Sequence, residues 1–485
     1  MKPSPRLSKL HFVGIGGSGM SVLAEVLASW GFSVSGSDGQ SGEALDRLSG
    51  LGLRVHAGHC ADNVGDADVV VYSSAVPDTN SELQEARRRG IPVVKRAEML
   101  GEALRDKYAI GVSGTHGKTT TTTMLGRIWL QAGRLPTLLA GGTAQGGENL
   151  SALAGTGDAV IVEADEFDRS FLTLRPAAAI IGNIDSDHLD CYGTLEGVRD
   201  AFVAFTNGMP FYGLIAANLD DEGVRAVLPR LTRKVVTYGM SAEADYRAID
   251  VRTKGEGMAF SLEHRGEALG GLVLKVPGIH NVYNALGAAV ISLEEGVSFA
   301  DVAEGLEGFQ GVKRRLEFRG RKSGVTFYDD YAHHPTEVAV ALQAARVLVA
   351  TSIAVAGSVV RSEAGSVVGS VVSKGPGRLI AVFQPHLFSR TLQLHAEFAL
   401  AFRACDELFV TKVYAAREKP IAGVEGHLIA DGAKAVLPAD KVHYIEDLET
   451  LPRKVAAVLR AGDLVLTLGA GDISARCARI MEAVA

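Results

Sequence analysis

The sequence predicts an α/β protein made of three tandem α/β domains. Three observations predict it. Short apolar runs alternate with helix-compatible segments along the chain, the pattern of parallel sheets crossed by helices. Two of those runs lead straight into glycine-rich turns that open helices, at residues 14–19 and 114–117. The length, 485 residues, exceeds one ordinary domain and suits about three.

The elements follow in order. A strand is expected over 10–15, then a glycine turn, a helix over 18–30 and a strand over 32–36 ending near Asp38. Further strands fit 69–72 and 92–94, with helices between. The polar piece 101–107 marks the first boundary and closes a domain over 1–107. The second domain, 108–316, carries strands at 108–112, 159–163 and 177–181 and a helix over 119–131. Turn-rich β-like sequence follows over 234–276, then a helix over 281–294. The third, 317–485, carries strands at 325–328, 379–383, 407–410 and 464–468 and helices at 335–346, 391–402 and 472–483. Within it, 354–374 repeats Gly-Ser-Val-Val from Gly357, Gly365 and Gly369. That stretch is expected to be a loop insertion between a helix and a strand.

Bulk properties exclude several classes. Apolar residues make up 47% and charged residues 22%, enough to build globular cores. The net charge is −7 and no Lys/Arg-rich run occurs, which argues against a nucleic-acid partner. Cys60, Cys191, Cys405 and Cys477 lie far apart without metal or redox spacing and read as reduced thiols. The first ten residues have no apolar core of a signal peptide, and the apolar run 347–360 is too short to span a bilayer. A cytoplasmic protein without membrane insertion is expected.

The chemistry concentrates at strand ends. Gly114-Thr115-His116-Gly117-Lys118-Thr119-Thr120 follows a strand and opens a helix, so amide groups and the helix N-terminus face an anion. Lys118 can reach β/γ-phosphates and Thr119 can place a hydroxyl on Mg²⁺. Val112 stands where the strict phosphate-loop pattern has its first glycine. Gly14-x-Gly16-x-x-Gly19, with Asp38 nineteen residues on, satisfies a dinucleotide fingerprint. The same small residues, with Gly17 and Ser18, admit the pyrophosphate of NAD or of a UDP-sugar equally well.

Glu163, Asp165, Glu166 and Asp168 crowd one strand end, where a cation such as Mg²⁺ would relieve their repulsion. His188 stands among Asp185, Asp187 and Asp190 and could ligate a second metal. Asn281 and Asn284 share a helical face and suit an adenine edge, with Asn281 equally readable as an N-cap. Lys313-Arg314-Arg315 could neutralise phosphate. Asp330 could hold a ribose hydroxyl, His333 and His334 could face substrate, and Arg390, near His386, suits a small carboxylate.

Ten blocks in order resemble the Mur ligases: HFVGIGGSGMS, SGSD, GTHGKTTTT, EADEFDRSFL, NIDSDHLD, GIHNVYNAL, FQGVKRRLE, DDYAHHPTE, QPHLFSRT and YAAREKPI. They cover nearly the whole chain and are most similar to the branch that joins L-alanine to UDP-N-acetylmuramate. The resemblance implies a Rossmann-like UDP-sugar domain, a central P-loop ATPase-like domain and a C-terminal Rossmann-like amino-acid domain. It implies an ATP-dependent ligase of peptidoglycan synthesis that is a monomer or dimer, with ATP and Mg²⁺ as cofactors and UDP-N-acetylmuramate and L-alanine as partners.

It also implies roles for single residues. Lys118, Glu163, His188 and Arg315 would be catalytic, and Thr119, Glu163 and His188 would hold metal. The loop from Gly114 to Thr120, with Asn281, Asn284 and Asp330, would bind nucleotide. Gly14, Gly16, Gly17, Ser18, Gly19, Asp38, Ser73, His333, His386 and Arg390 would bind the other substrates. The chain departs from the family pattern at Leu387, a common Arg, at Ala332, a usual Gly, and at Phe167, a usual Ser. The alternatives are a ligase for a recycled murein tripeptide, an NAD-dependent oxidoreductase and a nucleotide-sensing protein without catalysis.

Overall fold

The computed structural model describes residues 1–142, 144–145, 152–187, 189–356, 377–416 and 418–484. His188 and most of the Gly-Ser-Val-Val stretch, 357–374, lie outside the described residues. The fold is mixed α/β with three sheets. The chain forms two compact units. One comprises Met1–Arg252, Ala259–Leu274 and Asn281–Gln310; the other comprises Thr253–Met258, Lys275–His280 and Gly311–Ala485.

The first unit holds two sheets. In the smaller, five parallel strands run in the order Arg54–Ala57, Ser33–Asp38, Lys9–Val13, Val69–Tyr72, Val93–Lys95. The first strand in sequence is central, so the chain reverses its direction of winding beside it, where open α/β sheets bind ligands. In the ten-stranded sheet Tyr108–Ser113 takes the equivalent place, parallel to Ala178–Ile181 on one side and Ala159–Glu163 on the other. These strands are buried on both faces, which is why they read as unbroken apolar runs such as Ala-Ala-Ile-Ile. Helix Arg96–Leu104 lies close against Thr173: Thr173 Oγ1 donates to Ala97 O at 2.8 Å, and a Cβ on Gly101 would come within 2.7 Å of Thr173 O.

The second unit is a six-stranded sheet in the order Glu317–Lys322, Val325–Asp330, Leu464–Leu468, Leu379–Phe383, Glu407–Thr411, Val442–Ile445. All neighbours are parallel except the first pair. Among the described residues no helix is long and apolar enough to cross a membrane.

Some expectations shift. The first strand stops at Val13, because Gly14 turns to φ +80°. Within the polar piece 101–107, residues 101–104 form the end of helix Arg96–Leu104. The helix expected over 335–346 runs on as Pro335–Ala356, since its small apolar residues carry no stop signal. Helix Ile279–Glu294 starts two residues before Asn281, which removes the N-cap reading of that residue.

Candidate functional site

Tyr108–Ser113 delivers the chain to the loop at 114–117, and helix Lys118–Gln131 leaves it. Gly114 (φ +144°) and Gly117 (φ +79°) adopt backbone conformations that glycine takes without strain. A Cβ at Gly117 would also sit 2.5 Å from Asn284 Oδ1, so the Asn284 side chain would have to move. Asn183, 67 residues on, braces the loop. Its backbone carbonyl accepts from Thr115 N at 3.1 Å, its Oδ1 from His116 N at 2.8 Å, and its Nδ2 donates to His116 O at 3.0 Å. Thr115 Oγ1 accepts from Asp185 N at 2.9 Å, Asn284 Oδ1 accepts from Thr121 Oγ1 at 3.2 Å, and Asn284 Nδ2 donates to Asn281 Oδ1 at 3.2 Å. The Thr119–Thr123 run, a poor helix former, is tolerated because Thr120 through Thr123 are buried.

Lys118 folds back into the loop. Its ammonium donates to Gly114 O at 2.9 Å, Thr115 O at 3.3 Å and Glu166 Oε2 at 2.7 Å, with Asp165 Oδ1 at 3.6 Å. Burial alone would lower its pKa, but the charges of Glu166 and Asp165 outweigh burial and raise it, so Lys118 is firmly cationic. Burial pushes Glu163 up, against hydrogen bonds from Gly141 N (2.7 Å) and the Thr119 hydroxyl. Burial also pushes Glu166 up, against the pull of Lys118. Thr119 and Glu163 are therefore brought together, as the metal reading requires.

The turn after the acidic strand is strained: Asp168 and Arg169, both non-glycine, have φ +53° and +56°. Its geometry is held by Tyr192, whose hydroxyl donates to Glu166 O at 2.6 Å while Arg169 stacks on its ring at 5.2 Å. The bracing by Asn183 and the role of Glu166 escaped sequence reasoning. Both residues stand inside recognised blocks, yet only tertiary contact distinguishes them from their neighbours.

At the N-terminal loop, Gly17 caps helix Ser18–Ser29. Ser37 O accepts from Gly14 N (2.8 Å) and Ile15 N (2.9 Å), and Asp38 Oδ2 accepts from Gly16 N (2.9 Å). A Cβ on Gly16 would lie 2.9 Å from Asp38 Oδ2, and one on Gly19 would lie 3.0 Å from an Arg96 guanidinium nitrogen. Ser73 docks beside the loop through Ser73 N to Val13 O (3.2 Å). Asp38 is thus engaged by the loop itself. Arg96, which sequence reasoning did not single out, supplies the nearby positive charge.

In the second unit Arg315, Asp330, His333, His386 and Arg390 gather at the C-terminal ends of Val325–Asp330 and Leu379–Phe383. His333 and His386 rings are 5.7 Å apart, and His386 stacks on Tyr414 at 5.8 Å. Burial lowers the His333 pKa; Glu337, 3.3 Å away, opposes this and the Arg390 charge adds to it. Arg315 lies 3.8 Å from Glu337 and over the Tyr331 ring at 5.5 Å. Burial pushes Asp330 up to about 6, although Arg315 and the amides of Ala332 (2.8 Å) and Leu316 (2.7 Å) pull it back. Leu387, the departure beside His386, holds φ +70° ahead of helix Phe388–Ala401.

Three family models match the chain: Mur ligase family, catalytic domain, over 9–108; Mur ligase middle domain, over 112–292; and Mur ligase, glutamate ligase domain, over 314–374 and 362–471. A UDP-N-acetylmuramate–L-alanine ligase of Salinibacter ruber is 45% identical over 96% of this chain and 93% of its own length. One from Geobacter sp. is 44% identical over 96% of each. Among solved structures, a UDP-N-acetylmuramate-alanine ligase from Thermotoga maritima aligns with TM-score 0.78 and 30% identity over 98% of both chains. A murein peptide ligase from Psychrobacter arcticus, at 22% identity and TM-score 0.69 over 98% of both, shares the fold.

Proposed function

The chain belongs to the Mur ligase family, and from that premise we propose that it joins L-alanine to UDP-N-acetylmuramate in an ATP-dependent reaction of peptidoglycan precursor synthesis. The observation that carries the reading is a firmly charged Lys118 seated inside a glycine loop at the end of a central strand. A carboxylate does not acylate an amine unaided. In the proposed reaction a muramate carboxylate oxygen attacks the γ-phosphorus of ATP and ADP leaves, giving an acyl phosphate. The alanine nitrogen then attacks the acyl carbon, loses a proton, and phosphate departs. Phosphoryl transfer needs placement and charge neutralisation above all.

The residues divide among three proposed domains, 1–107, 108–316 and 317–485. Gly14, Gly16, Gly17, Ser18, Gly19, Asp38 and Ser73 hold the UDP-sugar. The loop from Gly114 to Thr120, flanked by Asn281 and Asn284, takes the phosphates, and Lys118 neutralises them. Thr119 and Glu163, joined by a hydrogen bond and facing further carboxylates, form a donor set that suits a hard cation. With His188 they would hold Mg²⁺, which would supply charge neutralisation at the phosphates. Asp330 serves the ribose and Arg315 the acyl phosphate. Arg390, with His333 and His386, takes the alanine carboxylate, the strongest handle on so small a substrate.

The test is phosphate release from the full chain with ATP, Mg²⁺ and UDP-N-acetylmuramate, offered L-alanine, glycine, L-serine or a murein tripeptide. L-Alanine should support the fastest turnover. A clear preference for the tripeptide would move the chain to the recycling branch, and NAD-dependent turnover would reject the family's chemistry.

A further inference from the structure

The N-terminal sheet holds a group of titratable side chains that the reaction above does not use. Glu82 stands in the first turn of helix Ser81–Arg88, where the Asn80 side chain caps its amide at 2.9 Å. Its side chain is fully buried. The carboxylate accepts from Ser37 Oγ at 2.5 Å, Asn63 Nδ2 at 2.7 Å and Cys60 N at 3.0 Å. His11 Nε2 lies at 3.4 Å and His59 Nδ1 at 3.6 Å. Burial pushes Glu82 up, yet the hydrogen bonds from His11, Ser37, Asn63 and Cys60 N outweigh it and hold the group down to about 2. A buried charge this well satisfied fixes the geometry of everything bonded to it.

What it fixes is the edge that carries the glycine loop. Cys60 and Asn63 follow strand Arg54–Ala57, and Ser37 lies one residue before the end of strand Ser33–Asp38. With its proton on Glu82, Ser37 Oγ accepts from His59 Nδ1 at 2.9 Å. The same residue's backbone carbonyl takes the amides of Gly14 and Ile15, and its neighbour Asp38 takes that of Gly16. The chain of contacts therefore runs from one buried carboxylate, through Ser37 and Asp38, to successive amides of the loop.

We propose that Glu82 is a positioning residue that sets the affinity for the UDP-sugar through Ser37 and Asp38, without touching the ligand. The proposal rests on the reading that this loop holds the UDP-sugar. Gln at position 82 keeps the shape but removes the charge; with its amide oxygen kept toward Asn63 Nδ2 and Cys60 N, its NH₂ faces Ser37 Oγ and His11 Nε2, so Ser37 can no longer donate to residue 82. Steady-state kinetics and calorimetry on the full chain, wild type against Glu82→Gln, test it. The KM and Kd for UDP-N-acetylmuramate should rise about tenfold or more, while kcat at saturation and ADP affinity stay within about threefold.

A folded variant with lowered thermal stability but unchanged UDP-sugar affinity would overturn the proposal, as would an equal loss of ADP affinity. If Glu82→Gln does not fold, Ser37→Ala decides, because it deletes one hydroxyl and leaves the backbone contacts. A rise of about threefold or more in UDP-sugar KM alone supports the proposal, and an unchanged KM overturns it. Wild-type protein that binds ADP but no UDP-sugar would instead reject the underlying reading, and the proposal with it.

Discussion

The two glycine loops of the first unit share a plan: central parallel strand, glycine turn, helix. They differ in what engages them. At residues 14–16 the amides are held by the adjacent strand, through Ser37 O and the Asp38 carboxylate, and the nearby cation, Arg96, comes from a separate helix. At residues 114–117 the bracing comes from neutral Asn183, while Asn284 holds Thr121 in the helix that follows, and the cation is the first residue of that helix. Lys118 also faces Glu166 and Asp165, with Glu163 in the same pocket. The first loop is thus shaped by an anion within the protein, while the second concentrates fixed charge where, in the proposed reaction, phosphates and a cation would meet. A glycine spacing alone does not separate a loop that binds from one that also reacts; the charged neighbours do.

Lys118→Ala would break the comparison most directly. Turnover should fall by roughly a thousandfold or more, since a preorganised charge at the reacting phosphate is lost. Circular dichroism should show an intact fold, and calorimetry should show unchanged UDP-sugar binding. If phosphate release from the folded variant is near normal, the second loop is not the reacting one.

The next largest effects come from adding a methyl group to each loop. At Gly117 the backbone is left-handed and a Cβ would strike Asn284, so Gly117→Ala combines strain with a clash. It should reduce kcat/KM for ATP by about a hundredfold, from roughly 1–3 kcal/mol of strain plus displacement of Asn284. At Gly16 the φ is not left-handed, and the Asp38 carboxylate and the Leu45 side chain must give way. Gly16→Ala should raise the UDP-sugar KM by about tenfold and leave the ATP KM alone. Kinetics in which each variant affects the other substrate would invert the assignment of the loops.

Much of this was legible beforehand, for identifiable reasons. Strands Ala159–Glu163, Leu379–Phe383 and Leu464–Leu468 end where expected, because fully buried parallel strands are continuous apolar runs between polar turns. The glycine turn at 114–117 and the helix that opens at Lys118 were legible because turn geometry is local. The start of the helix at Ile279 was not, because Gly278 and Ile279 gave no sign that it begins before Asn281. The bracing residues were hidden for a different reason. Asn183 reaches His116 across 67 residues and Glu82 reaches Ser37 across 45, and no short-range spacing encodes such pairs. Each lies within ordinary-looking sequence until folding brings it to a strand end.

Acid offers the gentlest way to separate the loops. Glu82 is held at about 2 in the folded chain against an ordinary 4.5. A carboxylate with a lowered folded pKa contributes stability that is complete above about 4.5 and is lost as pH falls toward 2, at no more than roughly tenfold in an opening equilibrium per pH unit. The buried carboxylates beside the second loop, Glu163 and Glu166, are shifted the other way, so their protonation in the folded state begins above 4.5. Between pH 4.5 and 3 the brace of the first loop should therefore weaken on a schedule the second does not share. Hydrogen exchange, corrected for intrinsic rates, should show amides at 37–40 and 58–64 losing protection over that interval. Amides at 113–121 should lose less. In Glu82→Gln the acid-dependent part of the first change should vanish, leaving protection low at every pH. Equal losses in both segments of the wild type would mean that acid acts on the unit as a whole, and the distinction between a loop braced by a buried carboxylate and one braced by amides would fall.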